Sequence, residues 1–164
     1  MTMDAASFLS STVEIAIGIA GFSGIVAAIR RRSIAGWPPG QRIMLQILFF
    51  ASAAAIVFSL LPPFLFEAGI DPGLGWKISG LLLTAWIVLA SGFRVAQSRA
   101  ETVPMPIPRG VMVFAAVAVF LQLYNLTGEG RAWPYLVGVV ALLANGFSMF
   151  LLLLLGSQDD ESGD

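Results

Sequence analysis

The stretch WPYLVGVVALLANGFSMFLLLLL, residues 133–155, runs twenty-three positions without a charge. A bilayer core about 30 Å thick takes about 20 helical residues, with about 17 as the lower limit, so this run crosses a membrane unaided. It is continuous rather than alternating, which marks a helix and not a barrel strand. Four further apolar stretches appear at 7–29, 43–66, 76–95 and 110–126. The fold class is therefore all-α, an integral membrane protein of five transmembrane helices. The fourth stretch sits at the lower limit and is either a full crossing or a re-entrant segment. Thr127-Gly128-Glu129-Gly130 is good turn chemistry between two apolar runs and favours a tight hairpin with a full crossing.

Composition supports this reading. Of the residues, 57% are apolar and 12% charged, about half the charged share of a soluble domain. The net charge of −1 gives no general pull towards nucleic acid. Cysteine and histidine are both absent. That removes thiolate and imidazole metal sites, histidine-ligated haem, iron–sulfur clusters and hydrolases with a histidine base. No metal site and no cofactor is expected, and no phosphate-binding loop, His-Glu-x-x-His or EF-hand pattern occurs.

Charge placement gives an orientation. Asp4 precedes the first span and Arg30, Arg31 and Arg32 follow it, the reverse of a secretory signal, so the span reads as an anchor with its N-terminus outside. Arg30, Arg31, Arg32 and Arg42 fall in one connection and Arg94, Arg99 and Arg109 in another, with only Lys77 and Arg131 on the opposite side. Cationic flanks stay cytoplasmic, so the expectation is N-terminus out and C-terminus in. Trp76, Tyr124, Trp133 and Tyr135 fall near the outer interface and Trp37 near the inner one. The expected location is a cell membrane, taken as the bacterial cytoplasmic membrane.

Residues 1–156 read as a single transmembrane domain, and 157–164 as a disordered, acidic cytoplasmic tail. Trp37-Pro38-Pro39-Gly40 closes the first cytoplasmic loop, and the alternation of Pro104, Pro106 and Pro108 marks the second as a stiff, extended connector. No internal repeat suggests the paired halves of a transporter.

Within the spans the costliest residue is Glu14, seven positions into the first stretch. An intramembrane carboxylate is protonated, paired or facing water. One reading places Glu14 on an ion or proton path, as part of a ring contributed by several copies. The other pairs it with Lys77, which enters the third span at the same level, or bonds it to neighbouring hydroxyls. Gln122, Asn125 and Ser59 gather at a similar depth and suggest a polar outer pocket. Pro62 lacks an amide hydrogen and frees carbonyls in the turn before it, which either coordinate an ion or bond to a neighbouring serine, and the plainer reading is a helix end near the interface. Gly18, Gly21 and Gly24 in the first span, Gly80, Thr84 and Ser91 in the third, and Gly138, Ala141, Asn145 and Ser148 in the fifth form small or polar stripes suited to helix packing, with an interhelical hydrogen bond at Asn145.

Three functional classes remain open. A homo-oligomeric ion channel or ion-translocating protein uses Glu14 on a shared path, with the lipid bilayer and further copies as partners. A non-catalytic accessory or scaffold subunit uses the small-residue stripes to meet another membrane protein. A lipid-modifying enzyme ranks last, because Glu101 is the one loop residue placed to act as a base. The first class is preferred, and the chain is expected not to be an enzyme.

Overall fold

The structure is a computed structural model, and it describes residues 4–29, 37–100 and 109–155. Among these residues the chain forms five helices: α1 (Ala5–Ile29), α2 (Pro39–Glu67), α3 (Pro72–Ala100), α4 (Arg109–Thr127) and α5 (Ala132–Leu155). All five are long and apolar enough to cross a membrane. At 1.5 Å per residue even α4 is about 28 Å long, close to the hydrocarbon thickness. The arginine clusters at 30–32, the prolines at 104, 106 and 108, and the tail at 157–164 lie outside the described residues.

Local chemistry fixes the helix ends. α2 closes in a Schellman turn: the amides of Gly69 and Ile70 donate to the carbonyls of Phe66 (2.9 Å) and Leu65 (3.1 Å), with Gly69 at φ +81°. Asp71 then starts α3, its Oδ2 accepting the amide of Leu74 at 3.2 Å, and Pro72 occupies the first helical position, where no amide is needed. The α4–α5 turn is closed by Asn125, whose side chain accepts from the Arg131 amide at 2.8 Å and donates to the Arg131 carbonyl at 2.9 Å. These two turns share one end of the bundle, with Gly73 of one against Gly130 of the other. A Cβ at Gly130 would run into the Gly73 backbone, and Gly130 itself holds φ +75°. Both positions need glycine.

Two boundaries differ from those the hydropathy gives. α3 begins at Pro72 and continues to Ala100, so Arg94 and Arg99 lie on the helix and not in a loop. The helix outruns the apolar segment because charged residues are tolerated wherever a helix leaves the hydrocarbon. Arg109 likewise opens α4.

The bundle is built around α5, which packs against all four other helices, most extensively α2. Small residues let these two approach: Ala51, Ser52, Ala54 and Ala55 on α2 are buried, as are Gly138, Ala141 and Gly146 on α5. A Cβ at Gly146 would stand 3.6 Å from Ala51, in ordinary contact. Without a hydrophobic force between helices in lipid, such close packing is the main attraction available. Near the turn end Trp76 sits 5.2 Å from Phe66 and 5.6 Å from Tyr135, ring centre to ring centre. Trp37, Trp76 and Tyr135 are all buried in the bundle, while Trp133 and Tyr124 face outward. Only the last two are free to form an interfacial belt.

Candidate functional site

α1 rests on α2 and α5 through Leu9, Thr12, Ala16 and Ser23, all buried. Thr12 and Ser23 turn their hydroxyls back onto the carbonyls of Phe8 (2.9 Å) and Ile19 (2.6 Å), so the buried face is internally satisfied. Glu14 lies on the opposite side. At 100° per residue it points about 160° from Thr12 and Ala16, directly away from the bundle. Its side chain is exposed and has no hydrogen bond or ion pair with the described residues.

Both local explanations of Glu14 are thereby corrected. It is exposed and not in a buried polar site, and among the described residues it is neither paired with Lys77, which lies on α3 while α1 packs against α2 and α5, nor bonded to a neighbouring hydroxyl. Among the described residues the ion pair is Arg131 to Glu129, 3.1 Å and well exposed in the α4–α5 turn. Glu14 is nine residues from the start of α1, about 13 Å along the axis, which is deeper than the apolar boundary at Ser7 implies.

The same outward strip carries Ser7, Ser10, Ser11, Gly18 and Gly21, all exposed. A Cβ added to Gly18, Gly21 or Gly24 would touch nothing within 4 Å, so these glycines make room for no helix of this chain. The contrast with α4 is informative. α4 also faces largely outward, and it does so with Val113, Val117, Phe120 and Leu123, a surface suited to lipid. α1 also exposes Ile15, Ile17, Phe22 and Ile25, and among them it sets hydroxyls, a carboxylate and bare backbone.

Of the residues expected to form a polar outer pocket, Gln122 and Asn125 hold α4 to α5 and its turn, and Ser59 is buried on α2. Gln122 is buried between two glycines; a Cβ at Gly80 would come 2.7 Å from its Oε1, and one at Gly138 2.6 Å from its Nε2. Its Nε2 donates to the Pro134 carbonyl at 2.6 Å, tying α4 to the first turn of α5. The carbonyl that Pro62 leaves without a donor, that of Phe58, is taken by the buried hydroxyl of Tyr135. Ser59 is buried beside it, and its hydroxyl has no partner among the described residues. Asn145 lies elsewhere, on the other half of α5, where its Oδ1 accepts from Arg94 Nη1 at 3.3 Å.

Sequence reasoning missed Arg94 as an inward-turned group, because a cation at a span end reads as a topology signal. Among the described residues no three of His, Cys, Asp and Glu come together. The arrangement offers one unpaired carboxylate on an open small-residue face and one guanidinium turned into the bundle. No family model, curated protein or solved structure matches the chain.

Proposed function

We propose that the chain assembles through the Glu14 face of α1 into an oligomer that moves ions along a path shared by several copies. The observation that carries this reading is the exposed carboxylate of Glu14, without a partner among the described residues, about 13 Å into a membrane helix, on a strip where serines and glycines stand among Ile17 and Ile25. A charge near the bilayer centre costs about 3 kcal/mol on insertion scales. A lipid-facing position gives nothing back. A second helix does: close approach over Gly18 and Gly21 brings the hydroxyls of Ser10 and Ser11 from one copy towards the carboxylate of the next, and water admitted between them keeps it ionised. Five spans are few for a self-contained path, which favours a ring of copies with the α1 faces turned inward. The proposed placement is a bacterial cytoplasmic membrane with the turn end outside, supported by the cations that flank the opposite ends of the helices. The reading is non-enzymatic and assigns no cofactor.

The test is the mass of the full chain in lipid nanodiscs by native mass spectrometry, followed by conductance of the reconstituted protein. A discrete homo-oligomer whose cation conductance falls at least tenfold in Glu14→Gln, with its assembly intact, supports the proposal. A monomer overturns it, and a stoichiometric foreign subunit replaces it with the accessory-subunit reading.

A further inference from the structure

A second feature lies in the loop half of the bundle, away from Glu14. An open cleft of about 120 Å³ runs between α2, α3, α4 and α5, walled by Phe50, Trp86, Met112 and Ala115, with Ser91, Arg94 and Asn145 as its polar groups. On the scale where one water takes about 10–15 Å³, this is room for roughly ten waters or one length of alkyl chain. Arg94 closes the apolar span Pro72–Arg94. A helical side chain leans towards the helix N-terminus. On α3 that direction turns Arg94 back along the helix, and its guanidinium lines the cleft within hydrogen-bond reach of Asn145.

The guanidinium is under-satisfied there. Its hydrogen bond to Asn145 is 3.3 Å, long for a charged donor, and it has no ion pair with the described residues. None of the residues lining the cleft is acidic. A cation held against apolar walls calls for an anion, and the walls call for hydrocarbon. One molecule that supplies both at the end of a membrane span is a phospholipid.

The geometry points to a binding site for an anionic phospholipid of the surrounding bilayer, with its phosphate on Arg94 and one acyl chain along Phe50, Trp86 and Met112. Ser91 stands in the same cleft as a further donor to the phosphate. This assignment does not depend on the ion path, because it uses none of the α1 face.

Trp86 provides the probe. The full chain is reconstituted in neutral phosphatidylcholine nanodiscs, and tryptophan fluorescence is followed as brominated phosphatidylglycerol or brominated phosphatidylcholine is added. The anionic lipid is expected to reach half-maximal quenching at about fivefold lower mole fraction than the neutral one, the worth of one cation near a membrane surface. The preference should disappear in Arg94→Gln, and the tightly bound component of quenching in Trp86→Phe. In the wild-type chain, which needs no variant to fold, unbrominated phosphatidylglycerol should reverse the extra quenching and unbrominated phosphatidylcholine should not. Equal quenching by the two lipids overturns the site, as does a preference that survives Arg94→Gln. Preferential quenching by a brominated fatty acid with none by phosphatidylglycerol overturns the phospholipid as its occupant.

Discussion

A proline inside a membrane helix leaves the carbonyl four residues back without its amide donor, and at Pro62 that carbonyl belongs to Phe58. The hydroxyl of Tyr135 takes it, seventy-seven positions along the chain. Half of this exchange is legible in the sequence: Pro62 announces a free acceptor, for which an ion or a neighbouring serine is the expected partner. The donor is not legible. Tyr135 at the start of an apolar run reads as an interfacial aromatic, yet it is fully buried, because contact between α2 and α5 is decided by tertiary packing that leaves no local mark. The bond has a measurable signature. Tyr135→Phe is expected to lower stability by about 0.6–1.7 kcal/mol, the range of interhelical hydrogen bonds in lipid, as read by unfolding in mixed micelles. In a Pro62→Ala background the new amide at position 62 takes the Phe58 carbonyl, so Tyr135→Phe should cost much less. Equal cost in both backgrounds would show that the ring, and not the hydroxyl, carries the contribution.

At the level of the helix, hydropathy finds each of the five elements but says nothing of which side of a span faces its neighbours. In water an apolar stripe names the buried face; in lipid both faces are apolar and the signal vanishes. Glycines then suggest packing wherever they occur. Gly138 does lie against Gln122 and Leu83, whereas a Cβ at Gly18, Gly21 or Gly24 would meet nothing among the described residues. The difference yields a test of the α1 face. Leucine at Gly18 and Gly21 meets open space within one copy, so Gly18→Leu and Gly21→Leu should leave the fold of the single chain intact and its unfolding within about 0.5 kcal/mol of wild type, as for substitutions away from packed features. If α1 is the assembly face, the same changes hold neighbouring helices apart and shift the nanodisc mass from oligomer to monomer. By contrast Gly138→Leu places new atoms where Gln122 and Leu83 already stand, and overpacking of that kind costs about 1–3 kcal/mol or more. An unchanged oligomer in the Gly18→Leu, Gly21→Leu pair would remove α1 from the interface.

For the molecule as a whole, the decisive relation is that the α2–α3 and α4–α5 turns share one end, in contact through Gly73 and Gly130. That contact makes α4 a full crossing, since a re-entrant α4 would return its turn to the side it entered from. The sequence favours the full crossing only through its turn chemistry, because the apolar stretch 110–126 sits at the minimum span and the rule of cationic flanks is weak in a turn holding a single arginine. The chain's lack of cysteine allows a clean check by single-cysteine labelling. Glu67 and Glu129 are exposed at the turn end, and Gly40 begins α2 at the other, with open space around its Cβ position. In intact cells a membrane-impermeant maleimide should label Glu67→Cys and Glu129→Cys alike, and should reach Gly40→Cys only after permeabilisation. Labelling of Gly40→Cys alone would keep the five crossings and invert the orientation. Labelling of Glu67→Cys with protection of Glu129→Cys would separate the two turns by a bilayer, which the Gly73–Gly130 contact forbids; α4 would then fail to cross, and α5 would lose its place at the centre of the bundle.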